Sequence, residues 1–247
     1  MIDSKRNVQV FDADVQHGGS YVYTDENRLS SYLSNRRISA AMGAAFDFRG
    51  KSVIDLGCGD GTYTLELAAA GASKVVGLEP APAAIARAQA RADSLGLSIF
   101  TFRTGNIYDL EADLKGRFDI AILRGVLHHL PEPEQAVALA FTAAPTVMII
   151  EPNGCNPVLK VIERVSAYHI EHEEKSFLPS TIDGWCDKAG AAVTRREWIN
   201  LVPMFCPDWL ARFGHALGPA VEALPLLRAV CCGQYIVVAQ RRAAAPR

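Results

Sequence analysis

Two stretches of the chain carry residue types at spacings that could do chemistry. The first is Val53-Ile54-Asp55-Leu56-Gly57-Cys58-Gly59-Asp60-Gly61-Thr62, a strand-like run that ends in an acid and passes into three alternating glycines. Glycine lets a backbone turn tightly and approach a ligand with no Cβ in the way. A helix starting just beyond would add unpaired N–H groups. The second is Arg124-Gly125-Val126-Leu127-His128-His129-Leu130-Pro131, which also follows an apolar run. A neutral imidazole near pH 7 can take the proton of a hydroxyl nucleophile. His128 is the candidate base or substrate-orienting group. His129 reads more as a hydrogen-bonded residue at the head of the next helix, and the bland alternative is that both only pack the loop.

The acid in the glycine loop decides between ligands. A dinucleotide fingerprint, G-x-G-x-x-G, needs glycine at position 62, where this chain has threonine. A carboxylate at Asp55 would also repel a pyrophosphate. It suits a cation instead, and the sulfonium and amino group of S-adenosylmethionine supply one. Glu79, followed by Pro80, ends the next apolar run, where a carboxylate can accept both hydroxyls of a ribose. Asn106 and Ile107 follow a third run and could bond the edge and cover the face of an adenine.

Those positions need a scaffold. Strand-like runs fall at Ser52–Leu56, Lys74–Glu79, 98–103, 118–123, 147–151 and 234–239, and helix-like runs at 62–70, Pro82–Ser94 and 132–143. Pro82 opens its helix where a missing N–H costs nothing. The alternation predicts a doubly wound α/β fold, a mostly parallel sheet with helices on both faces and ligands beyond the strand ends. Residues 1–49 read as a lid or cap with a helix at about 30–46. Residues 50–151 form the cofactor-binding core, and 152–247 supply acceptor-side helices, a Pro-punctuated insert at about 207–229 and the last strands. The three are expected to make one domain.

The runs VIDLGCGDGTYT, the strand-end Glu79, GNIYDL and FDIAILRGVLHHLPEP together resemble the successive motifs of class I S-adenosylmethionine-dependent methyltransferases, over about Lys51 to Glu151. The resemblance implies a seven-stranded sheet whose last strand is antiparallel. It implies that Gly57, Cys58 and Gly59 hold the methionine part of the cofactor, Glu79 the ribose, and Asn106 with Ile107 the adenine. The backbone near Arg124 would contact the methionine amino group, with S-adenosylhomocysteine as product. Many members carry Asp where this chain has Asn106, and an amide can fill that role. No Asn-Pro-Pro-Tyr sequence follows the fourth strand, which counts against a nucleic-acid base or protein glutamine as acceptor.

Further candidates lie outside the core. Tyr21 and Tyr23, beside Gly18 and Gly19, could close over both ligands and exclude water. Arg36 and Arg37 could pair with the methionine carboxylate or face solvent. His169 and His172 could border the acceptor pocket, share a metal with Glu173, or mark a solvated helix face; with no H-E-x-x-H pattern, no metal is expected. Trp185, Trp198, Phe205 and Trp209 lie where the family builds acceptor specificity, with Trp185 the candidate substrate contact and core packing the default for all four.

Composition sets the outer limits. The 247 residues carry a net charge of −2 and no basic stripe, so nucleic acid is not an expected partner. The six cysteines form no C-x-x-C pair, which together with a charged N-terminus predicts a reducing cytoplasm. The apolar stretch at 217–232 is cut by Pro219, Glu222, Pro225 and Arg228, so no membrane span is expected. The expected activity is methyl transfer to oxygen or nitrogen of a small-molecule acceptor. The rivals are a nicotinamide oxidoreductase and a catalytically silent S-adenosylmethionine-binding protein.

Overall fold

The computed structural model describes residues 12, 21–165, 175–204 and 206–242. Among them seven strands form one sheet: β1 Ser52–Leu56, β2 Lys74–Glu79, β3 Phe100–Thr104, β4 Ile120–Arg124, β5 Thr146–Pro152, β6 Ala191–Ile199 and β7 Gln234–Arg241. The order across the sheet is β3-β2-β1-β4-β5-β7-β6. Neighbours from β3 to β5 pair in parallel, and β7 runs antiparallel to both β5 and β6. The central strands are apolar along their whole length because both faces are covered. Val53, Ile54 and Leu56 are fully buried, as are Val147, Met148 and Ile149.

The covering helices are α1 Leu29–Ala45, α2 Glu66–Ala69, α3 Pro82–Ser94, α4 Pro133–Ala143, α5 Pro157–Val165, α6 Pro179–Lys188, α7 Asp208–Glu222 and α8 Pro225–Cys231. Proline stands in the first turn of α3, α4, α6 and α8, where its fixed φ suits a helix start. Helix α3 turns Ala84, Ala88 and Ala92 inward, a stripe at i, i+4 and i+8 whose small side chains bring it close to the sheet. None of the described helices is long and apolar enough to cross a membrane.

This is the expected α/β architecture, with the antiparallel last strand two residues longer than the sequence suggested. Several boundaries differ, β3 and β5 by one or two residues at an end, and three differences have a visible cause. The helix expected at 62–70 shortens to α2, preceded by turns, because local side chains compete for its bonds. Thr64 Oγ1 donates to Asp55 Oδ2 at 2.6 Å, and Asp60 Oδ1 accepts from the Thr62 N–H at 3.1 Å. Strand β4 begins at Ile120 rather than Phe118, since Asp119 turns its carboxylate onto the Ser52 N–H and hydroxyl at 2.8 and 2.7 Å. The insert at 207–229 is two helices, with Pro225 starting the second.

The topology fixes where ligands can bind. Chain order reverses direction between β1 and β4, and the crevice opens beyond their carboxyl ends. Leu56, Glu79, Thr104, Arg124 and Pro152 are the residues at those tips.

Candidate active site

The glycine loop leaves β1 with its backbone in a region that only glycine occupies readily. Gly57 has φ +83° and Gly59 φ +54°. A Cβ on Gly57 would stand 2.5 Å from Val126 Cγ2, and one on Gly59 would stand 2.8 Å from Tyr21 Cε2. The loop is therefore a close-packed glycine cradle with no room for a side chain at either position. Tyr21 and Tyr23 stack with ring centroids 5.4 Å apart and pack against it. Gly18, Gly19 and Ser20, the rest of the expected lid, lie outside the described residues.

Two adjoining cavities open at this loop, with Tyr23, Gly57, Arg124, Gly125 and His129 in both walls. The smaller, about 120 Å³, is bounded by Tyr21, Glu79, Pro80, Asn106 and Ile107. Glu79 accepts the Gly59 and Ala81 N–H groups, each at 3.2 Å. Burial pushes its carboxyl up to about 7, against the pull of those two donors. Asn106 spends its carbonyl oxygen on the Tyr108 N–H at 3.0 Å, which caps a turn and presents the amide nitrogen as donor.

The larger cavity, about 500 Å³, reaches Asp55, Cys58 and His128. Asp55 is buried; Oδ2 takes the Thr64 hydroxyl, while Oδ1 has no hydrogen-bond partner among the described residues. Burial raises its carboxyl to about 6, moderated by Thr64 and the Arg124 charge. A buried, half-satisfied carboxylate at a cavity wall is a place for a cationic donor. The cradle, the orphaned oxygen and the Glu79 carboxylate together fit the chemistry of S-adenosylmethionine: Asp55 would take its amino group and Glu79 its ribose. Cys58 is buried with its thiol pushed well up by desolvation, so it serves as wall and not as nucleophile.

At the tip of β4 the half-buried guanidinium of Arg124 is held by side chains of α1. It donates to Asn35 Oδ1 and Ser39 Oγ, each at 3.1 Å, and lies 3.9 Å from the centre of the Tyr63 ring. Its side chain thus ties α1 to the sheet. Beyond it the chain turns so that His128, buried, meets Glu151 at the end of β5. Nδ1 of His128 lies 2.7 Å from Glu151 Oε2. Oε1 of Glu151 accepts the Val126 and Leu127 N–H groups, each at 2.8 Å. A carboxylate so placed can only accept, so Nδ1 carries a proton and Nε2 is the basic nitrogen. His129 leans on His128 with ring centroids 3.9 Å apart.

The sequence-derived candidates divide clearly. Asp55, Gly57, Cys58, Gly59, Glu79, Pro80, Asn106, Ile107, Tyr21, Tyr23, Arg124, His128 and His129 all line the two cavities. Arg36 does not: it is on the outer face of α1, bonded to the Tyr32 hydroxyl at 3.0 Å. Arg37 pairs with Glu222 of α7 rather than with a ligand. Trp185 is no acceptor contact, because it packs edge-on against Phe177 within the core. Trp198 packs on Tyr235, whereas Trp209, expected in the core, is 69% exposed. His169, His172 and Phe205 lie outside the described residues. Glu151 was missed, although it ends an apolar strand as Glu79 does, which is the signal that finds it. Asn35 and Tyr63 carried no such signal.

A family model described as a methyltransferase domain matches residues 47–193. The chain is 26% identical over 160 residues to a ubiquinone biosynthesis O-methyltransferase of Azotobacter vinelandii, covering 58% of this chain and 66% of the relative. It is 32% identical over 105 residues to the protein of the same name from Chromobacterium violaceum, covering 42% of each. The chain thus spans less than two thirds of the length of these relatives. Its fold is similar to that of magnesium protoporphyrin IX methyltransferase from Synechocystis PCC 6803 with bound S-adenosylhomocysteine, at TM-score 0.59 and 19% identity over 86% of this chain and 83% of that one. With a match over more than half its length, and with the sheet order and glycine cradle that go with it, the chain belongs to the class I S-adenosylmethionine-dependent methyltransferases.

Proposed function

We propose that the protein methylates an oxygen of a small, largely apolar acceptor, with His128 as the proton acceptor and Glu151 as the residue that positions it. S-adenosylmethionine supplies the electrophilic methyl group. The observation that carries the reading is the buried His128–Glu151 pair at a cavity wall. A hydroxyl is a poor nucleophile until its proton leaves, and a neutral amine needs no such help. A fully buried carboxylate that holds this imidazole, besides two backbone N–H groups, supports oxygen rather than nitrogen as the accepting atom. Glu151 fixes the tautomer and steadies the imidazolium as the proton arrives on Nε2.

The larger cavity is also lined by Leu159, Ile162, Val202, Met204 and Val230. These apolar walls suit an apolar acceptor body, and enclosing it against the glycine loop aligns nucleophile and donor while excluding water. The names of the relatives, which are O-methyltransferases, agree with oxygen as the accepting atom.

The test is turnover of methyl-labelled cofactor with paired hydroxyl and amine acceptors of equal apolar bulk. The hydroxyls should be the substrates. His128→Asn should lower their turnover about 10²–10⁴-fold and leave the affinity for S-adenosylhomocysteine unchanged. Wild-type turnover in that variant, or faster methylation of the amines, would overturn the reading.

A further inference from the structure

Most charged groups around the larger cavity are matched by other described residues. Asp60 accepts from Thr24 and Thr62 and faces Arg87; Arg124 is held by Asn35 and Ser39; Glu163 accepts the N–H and hydroxyl of Ser176 and the ammonium of Lys160. Asp55 retains one orphaned oxygen, assigned above to the cofactor. Lys175, also in the wall, makes no ion pair with any described residue; its ammonium lies 5.4 Å from the centre of the Phe177 ring.

The backbone that carries Lys175 is fixed on two sides. Asn153, just past β5, forms a bridge with Phe177, and the Gly154 N–H donates to Phe177 O at 2.8 Å. The two backbones are so close that a Cβ on Gly154 would stand 2.5 Å from Phe177. From α5, Lys160 Nζ donates to Ser176 O at 2.8 Å, and Glu163 takes the Ser176 N–H at the same distance. The Phe177 ring is itself seated on Trp185. The tip of one strand, β5, therefore positions both His128, through Glu151, and the segment that carries Lys175.

We infer that Lys175 is an acceptor-specificity residue, and that the acceptor carries an anionic group, a carboxylate or its equivalent, on its apolar body. An ammonium beside apolar walls gains most from a charged partner that also leaves water. The Phe177 ring steadies that ammonium without neutralising it. The inference rests on the reading of this cavity as the acceptor site and adds the charge of what fills it.

The test is a binding measurement that needs no turnover. With S-adenosylhomocysteine at saturation, decanoate and decanol are titrated into the full-length protein at pH 7.5. The wild type should bind decanoate about tenfold more tightly. Lys175→Met should remove the preference, and Lys175→Arg should restore much of it. His128→Asn should keep it, so the failure of O-methylation and the failure of the anion site are told apart. Binding of S-adenosylhomocysteine by each variant reports that it is folded. Equal binding of the two probes by the wild type, or a preference that survives Lys175→Met, overturns the inference.

Discussion

Asp55 offers a test in which stability and ligand binding move in opposite directions. Its carboxyl is buried, has one oxygen without a partner and titrates near 6 rather than 3.8. When both states are ionised, that difference costs the empty protein about 3 kcal/mol, at about 1.4 kcal/mol per pH unit. The sign follows from the raised value: the cost is absent below 3.8, grows as pH climbs to about 6, and is complete above that. Asp55→Asn keeps an oxygen for the Thr64 hydroxyl and removes the charge. At pH 8, urea unfolding of the cofactor-free variant should show a gain of about 1–3 kcal/mol, shrinking to nothing near pH 4. The same change deprives the cofactor amino group of its counter-charge. Calorimetric titration with S-adenosylhomocysteine should show affinity lowered about tenfold to hundredfold. A variant that is less stable when empty, or that binds S-adenosylhomocysteine like the wild type, refutes the assignment of the orphaned oxygen to the ligand.

Glu79 titrates near 7, and its ionised form is the acceptor of two hydroxyls. S-adenosylhomocysteine affinity should therefore fall as pH drops from 8 to 6, and Glu79→Gln should flatten that dependence in the same titration. Gly57→Ala places a Cβ 2.5 Å from Val126 at φ +83°, and should abolish measurable cofactor binding by calorimetry while circular dichroism still reports a folded chain. Glu151→Gln should cut turnover with hydroxyl acceptors at least about tenfold, with cofactor affinity held, since only the orientation of His128 changes. Trp185→Ala should cost about 3–5 kcal/mol in urea unfolding, because it empties a core position against Phe177 and touches neither cavity.

Much of this architecture was legible because local signals agreed with the global fold. Val53–Leu56 reads as a strand from its own residues, and the three alternating glycines after it read as a tight turn at the strand end. Asp55, Glu79 and Asn106 come together at the cavities for the same reason, as each stands at or just past the end of a run that the sheet needs anyway. What escaped was long-range. The side chain of Arg124 has partners, Asn35 and Ser39, that come from a helix more than eighty residues away. Arg36 and Trp185 were misjudged because helix phase decides which side chain turns inward, and phase depends on packing that periodicity alone does not fix. Helix α2 was overextended because Thr64 bonds to Asp55, a contact that crosses from turn to strand.

The grip of Arg124 on α1 bears on how the protein can be cut. A guanidinium enclosed by the fold and satisfied by Asn35 and Ser39 is tolerable only while those oxygens are present. A core trimmed to begin at Asp47 would keep the candidate cofactor residues on the strand tips yet leave that cation facing a vacated groove. The first helix is thus a structural counterpart of the sheet, and a shortened chain lacking it should fail as an autonomous unit however complete its binding loop.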